Sequence, residues 1–325
     1  MDILNNIESS VGNKHLLLYI MWDLADDVSL VIVVVDVNPY FWVEKANAST
    51  GTSDIDFEQF LQHVLAFMNA ILLLNHMNYL AVIATGSDSC SFLYESLAGE
   101  SVSDGEGKPP SKRMNKHHTP SAKIVRGLKD FVSKELAFKT ERKDNGKRYS
   151  LLSGSLSMAL CYVQRILRQD PPHPHPRILC FQGSPDASQQ YIAVMNAIFS
   201  AQRLMVPIDS CMVGSQHSAF LQQAAHITGG IYMKPPHPEG LFEYLMMVFA
   251  TDLHSRRFLQ LPRPTGVDFR ASCFCHKKTI DTGFVCSVCL SIFCKHHKEC
   301  STCGASFSQN KSSFVTGQKR KLSTN

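Results

Sequence analysis

From residue 30 onward, short apolar runs alternate with longer stretches in which apolar residues recur every three or four positions. "LVIVVVD" (30–36) is an unbroken β-branched run, the pattern of a strand buried on both faces. "FEQFLQHVLAFMNAILLL" (57–74) repeats with the period of a helix. "YLAVIAT" (79–85) and "SFLYES" (91–96) read as strands joined by a short polar turn, hence as antiparallel partners. Helical patterns follow over 122–138 and 152–169, and the prolines of "DPPHPHP" stop the second. Beyond it the pattern predicts a strand over 177–183, a helix over 189–204 and a strand over 207–213. "SAFLQQAAHITGG" predicts a helix with Gly229 placed for its C-terminal cap. "IYMKP" is the last strand and "EGLFEYLMMVFATD" the last helix.

Strands separated by helices demand crossover connections, so the sheet is parallel and covered by helices on both faces. The expected fold is α/β: a doubly wound, mostly parallel, six-stranded sheet with one antiparallel edge strand. Ligands of such sheets bind at the carboxyl ends of the strands. The polar residues expected there are Asp36, Asn38, Ser153, Ser155, Ser184 and Asp186. The polar, Gly/Pro/Lys-rich stretch 97–121 reads as a mobile surface loop.

Composition adds little until the cysteines are placed. The 325 residues allow one large domain and something small, and 44% hydrophobic with 18% charged is ordinary for a globular chain. A net charge of +4 does not announce a nucleic-acid binder. Seven of the 11 cysteines, however, fall between Cys273 and Cys303. The other four, Cys90, Cys161, Cys180 and Cys211, stand singly in apolar surroundings and read as reduced core residues. The apolar run "LLLYIMW" near the start is too short for a membrane span and leads into "DLADD" without a cleavage site, so no secretion and no membrane contact is expected. In a reducing compartment the cluster points to metal.

Zinc takes four soft ligands in a tetrahedron, and a CxxC turn supplies two of them. Cys286/Cys289 and Cys300/Cys303 are two such turns and together make one thiolate site. Cys273, Cys275, His276 and Cys294 remain for a second, so two zinc ions are expected. Cys273 with His276 has the usual gap, Cys275 gives a tighter CxC clip, and Cys294 with His297 repeats the usual gap. His297 is thus either a completing ligand or a solvent-facing residue of "KHHK". The order of pairs suits a cross-brace, first with third and second with fourth. Phe284, Val285, Val288, Leu290, Ile292 and Phe293 surround the ligands as a miniature core or a docking face.

A strand ending in Asp, a long helix and then a hairpin resemble the von Willebrand A fold. That fold often holds Mg²⁺ through an Asp-x-Ser-x-Ser turn helped by neighbouring loops. Here the turn reads Asp36-Val-Asn38-Pro-Tyr40, with both hydroxyl positions changed. Ser155 and Asp186 are the residues expected where further ligands would stand. Mg²⁺ needs near-ideal octahedral oxygens, so the reading is a degenerate site, a polar cap without its ion.

"LVIVVVDVNPYFW", "LLSGSLSMALCYVQRI", "QQAAHITGGIYMK" and "FRASCFCH…GFVCSVCLSIFC" together resemble the family of the smaller von Willebrand A-bearing core subunit of the general transcription and DNA-repair factor TFIIH. The resemblance covers roughly Asp26 to Phe307. It implies a non-catalytic scaffold, located in the nucleus. The implied partners are the larger von Willebrand A/RING-bearing core subunit and the other core subunits. It implies service in promoter opening and nucleotide excision repair, with no direct sequence-specific DNA binding. The expected organisation is an extension over 1–25, a von Willebrand A-like domain over 26–256, a linker over 257–270, a zinc module over 271–307 and a basic tail over 308–325. The residues agree that the chain is no enzyme of a familiar type: there is no Gly-rich phosphate loop and no Gly-x-Ser-x-Gly elbow. Two rival readings stand beside this one. A cross-braced zinc pair is also what RING ubiquitin ligases use, and Lys277, Lys278, Lys295 and Lys298 around the cluster would suit a zinc-ribbon nucleic-acid binder. The tail "GQKRKLSTN" carries the kind of basic run that serves nuclear import.

Overall fold

A computed structural model describes residues 28–48, 55–75, 77–96, 119–141, 149–168, 174–262, 267, 269–276 and 279–307. The expectations for 1–25 and 308–325, and most of that for 97–121, lie outside the described residues. The chain forms two compact units that part between Phe269 and Arg270.

The first unit is built on β1 (Ser29–Asp36). All eight of its residues are buried, which is why the sequence there shows no polar alternation. β2 (Tyr79–Thr85) and β4 (His175–Gln182) flank it in parallel, with Val33 opposite Val82 on one side and Leu179 on the other. β3 (Cys90–Glu95) pairs antiparallel with β2 and closes one edge. β5 (Ile208–Met212) and β6 (Tyr232–Met233) complete the order β3-β2-β1-β4-β5-β6. This is the doubly wound sheet with one antiparallel edge strand that the pattern predicts.

Period two along β1 sends its side chains into two separate cores. Leu30, Ile32 and Val34 pack with α4 (Leu152–Leu167), α5 (Tyr191–Arg203) and α6 (Ala219–Thr228). Val31, Val33 and Val35 pack with α1 (Pro39–Ala48), α2 (Phe57–Leu74), α3 (Pro120–Glu141) and α7 (Leu241–Phe249). α2 is long and apolar enough to cross a membrane, yet its stripe of Phe60, Val64, Phe67, Met68 and Ile71 is buried against the sheet. Gly229 caps α6 in the left-handed region at φ 72°, a conformation that costs a residue with a Cβ about 1 kcal/mol.

Three features depart from the sequence pattern. α1 is not expected from it, because "PYFW" shows no helical period; Asn38 starts the helix by accepting the Tyr40 N–H at 3.1 Å, and Pro39 fits the first helical position. α3 begins at Pro120, inside the stretch read as a loop, and runs past the expected end at 138. β6 is two residues long, because Gly230 and the prolines that follow it leave room for no more.

A buried ion network fastens the chain after α7 to the sheet. Asp209 on β5 is fully buried and accepts two bonds from Arg256, at 2.9 and 2.6 Å, and one from the Ile231 N–H at 2.9 Å. Arg177 on β4 approaches the same carboxylate at 3.8 Å and donates to the Thr251 carbonyl at 2.9 Å. Burial, and then the neighbouring Arg256, push the Arg177 guanidinium down to about 10. The sequence signal was an aspartate inside the apolar run "PIDSCMV". Asp209→Asn leaves two guanidinium groups without their counter-charge, and we expect it to destabilise the unit by about 3–5 kcal/mol. The check is a fall in the urea midpoint at unchanged slope.

The second unit has little regular structure. β7 (Ala271–Ser272) pairs with β8 (Thr279–Ile280), and β9 (Phe284–Val285) with β10 (Ile292–Phe293), each antiparallel. Its hydrophobic cluster of buried residues is Cys286, Phe293 and Cys300. Phe293 is therefore core, whereas Phe284, Val285, Val288 and Leu290 are 44–70% exposed and form an outer face.

Candidate metal centres and the strand-end site

In the second unit, tight turns present the cysteines. Cys286 begins one: the Leu290 N–H donates to the Cys286 carbonyl and the Cys286 N–H to the Ser291 carbonyl, both at 2.9 Å. Cys300 repeats the arrangement with Gly304 and Ala305. Each turn closes through a left-handed residue, Leu290 at φ 59° and Gly304 at φ 72°.

These turns gather Cys286, Cys289, Cys300 and Cys303 so that their sulfurs all lie within 4.8 Å of one another. Cys286 and Cys303 stand 3.7 Å apart, and Cys289 and Cys300 3.6 Å. A disulfide would need about 2.05 Å. A tetrahedron with zinc–sulfur bonds of about 2.3 Å has sulfur–sulfur edges of about 3.8 Å. The spacing suits the second geometry. Cys273, Cys275, His276 and Cys294 form another such group. His276 Nδ1 lies 3.1 Å from the Cys294 sulfur, and Cys275 3.3 Å from both. The pairs interleave, first with third and second with fourth. Both Cys275 and His276 join the group, which has four ligand atoms without His297. That ring instead packs edge-on against Phe293 at 5.2 Å.

The crowding has an electrostatic consequence. The Ser291 hydroxyl, 3.1 Å from the Cys289 sulfur, holds that thiol down to about 6. Cys275 pushes the Cys294 thiol up to about 11 through a hydrogen bond that favours the neutral form. Four thiolates cannot share so small a space unless a cation offsets them, and a dication does so.

At the strand ends of the first unit the polar side chains bind one another and the backbone. Asp36 is buried at the end of β1. Its carboxylate accepts the Asn38 N–H at 3.1 Å, the Gly183 N–H at 3.1 Å and the Ser184 N–H at 2.6 Å. Burial raises its pKa, and these hydrogen bonds act in the opposite direction. Asn38 donates to the Ser184 hydroxyl at 3.2 Å, and Trp42 Nε1 donates to the Asp36 carbonyl at 3.1 Å. Asp36 thus laces β1 to the β4 loop. Gly183 is needed there, since a Cβ would meet the Phe41 ring at 2.3 Å.

Two residues expected beside Asp36 serve elsewhere. The Ser155 hydroxyl donates within its own helix to the Leu152 carbonyl at 3.0 Å. Asp186 accepts from the Ser218 hydroxyl at 2.5 Å and the Phe220 N–H at 3.1 Å, at the start of α6. Gly183, Phe41 and Trp42 carry no signal of their own in the sequence; "QGS" after an apolar strand is the nearest one. Beside them a cavity of 480 Å³ opens at the strand ends, lined by Phe41, Lys45, Met212, Lys234, Pro235 and Leu241 among others.

The family model described as "Transcription factor Tfb4" matches residues 28–304. The General transcription and DNA repair factor IIH subunit TFB4 of Arabidopsis thaliana is 55% identical over 305 residues, covering 91% of this chain and 96% of that one. The General transcription factor IIH subunit 3 of Dictyostelium discoideum is 37% identical, covering 94% and 93%. Among solved structures, the crystal structure of the TFIIH p34 N-terminal domain is 25% identical at a TM-score of 0.50, covering 68% of this chain and 98% of that one. A match that spans both compact units, and that leaves neither chain with a large unmatched portion, shows the family: the chain belongs to the transcription factor Tfb4 family.

Proposed function

We propose that this chain is a non-catalytic structural subunit of the general transcription and DNA repair factor IIH. It supports transcription initiation and nucleotide excision repair through protein contacts in the nucleus. The observation that carries this reading is the 55% identity to the Arabidopsis TFB4 subunit along nearly the whole length of both chains. The strand-end chemistry agrees with it, because the carboxylate at the end of β1 is spent on three backbone N–H groups.

The second unit holds two zinc ions in this reading. Cys286, Cys289, Cys300 and Cys303 hold one; Cys273, Cys275, His276 and Cys294 hold the other. The zinc supplies folding energy rather than reactivity, since so small a hydrophobic cluster as Cys286, Phe293 and Cys300 cannot order the unit. The first unit is the principal docking surface for the larger von Willebrand A/RING-bearing subunit. The cavity at its strand ends, with Phe41, Met212 and Leu241 in its wall, gives an apolar side chain of a partner a place to enter.

Three measurements test these points. Asp36→Ala strands the Gly183 and Ser184 N–H groups and should lower stability by about 2–3 kcal/mol in a denaturant titration. Assembly with partner subunits should survive in the folded fraction; loss of a Mg²⁺-dependent activity instead would defeat the scaffold reading. Elemental analysis should find two zinc ions per chain. Cys286→Ser should remove one, disorder the second unit and leave the melting of the first unit in place. A fragment ending at Phe269, which keeps Arg256 on Asp209, should capture the larger subunit in a pull-down. Capture by residues 270–325 alone, and not by that fragment, would reverse the assignment of the docking surface.

A further inference from the structure

Net charge hides a strong local bias. The chain carries +4 in all, yet residues 108–148 hold thirteen Lys and Arg against four Asp and Glu, a local +9. At the centre of this stretch lies α3. Its inner face, Ile124, Leu128, Phe131 and Glu135, is buried. Glu135 is buried and accepts from the Ser87 hydroxyl at 3.2 Å and the Ser89 hydroxyl at 2.5 Å. The outer face presents Lys123, Arg126, Lys129 and Lys134, all exposed, with Asp130 as the acid among them. None of the four cations has an ion-pair partner among the described residues.

We propose that this outer face of α3 contacts the phosphates of a nucleic-acid backbone without reading its sequence. The inference does not rest on the subunit assignment above; it stands on charge placement. From Lys123 to Lys134 the cations extend about 16 Å along the helix, enough for a run of phosphates rather than one anion. The character of the face selects nucleic acid over an acidic protein. Protein interfaces are built around aromatic or apolar anchors and are depleted in lysine. Between Lys123 and Lys134 the other exposed residues of α3 are Asp130 and Ser133, with no aromatic among them; Leu136, half exposed, lies two residues beyond. Phosphate binding needs charge and reach but no such anchor.

The test uses the full chain and a fluorescein-labelled duplex of random sequence, with anisotropy followed across a KCl series. Binding should weaken log-linearly with salt. The triple variant K123Q/R126Q/K129Q should reduce the slope by about one unit for each phosphate it no longer neutralises. K295Q/K298Q in the second unit should leave the slope unchanged. Unchanged thermal melting of the triple variant confirms the fold; if it melts early, R126Q alone should lower the slope by about one unit. The proposal fails if the wild-type chain shows no salt-dependent binding, or if the triple variant keeps the full slope. It fails if K295Q/K298Q removes the slope instead. Polyglutamate competing as well as duplex at equal charge would assign the face to an acidic protein and overturn it.

Discussion

β1 is sealed from water along its whole length, and much of the first unit follows from that constraint. A strand with both faces covered must have two neighbours to satisfy its backbone, and it must have helices above and below. The chain meets this by placing β2 on one side of it and β4 on the other. Odd- and even-numbered residues of one β-branched run then organise two cores that share little but the strand itself. The same seal fixes the chemistry at its end. Asp36 emerges where water is already excluded, so its charge must be met by nearby donors. Amides of the β4 loop meet it. A carboxylate used in this way ties β1 to the loop after β4.

The second unit obeys the opposite logic. With a buried hydrophobic cluster of only Cys286, Phe293 and Cys300 among the described residues, apolar area cannot offset the entropy of ordering some forty positions, at about 1–2 kcal/mol each. What it has is eight metal-binding side chains gathered into two groups by turns and short pairings. Two left-handed residues, one of them a leucine, show how firmly those turns are specified. Its apolar side chains are correspondingly divided. Phe293 fills the small core, while Val288 and Leu290 face solvent; the sequence pattern allows core and docking face equally for all of them.

What was legible in the sequence was what depends on local period. β1 through β5 and the long helices follow from runs and repeats, and the grouping of cysteines follows from their gaps and order. What was not legible depends on distance in space. α1 is specified by Asn38 and by Trp42 stacking 4.8 Å from Phe60, a contact that no window around residue 40 contains. The partner of Asp209 is Arg256, 47 positions away. Ser155 and Asp186 carry the side chains a metal site would want, but a neighbouring carbonyl and the start of α6 take them first. His297 has the spacing of a ligand, yet four ligand atoms assemble without it, and its ring packs on Phe293.

Charge shows the same division between what adds up locally and what does not. A small net charge gives no hint of binding to an anionic polymer, because the field near a surface depends on where charges stand rather than on their total. α3 buries Ile124, Leu128, Phe131 and the acid Glu135 on one side. The cations fall, by the same helical period, on the other. Folding therefore leaves a positive stripe that no interaction within the described residues neutralises. Such a stripe raises the self-energy of the folded chain, most of all at low salt. The cost is small for side chains in water. It turns into attraction when a line of phosphates comes within a Debye length, about 8 Å at physiological ionic strength. Because α3 is held by a buried face it does not need to reorganise to bind, so ordering entropy takes little of the electrostatic gain.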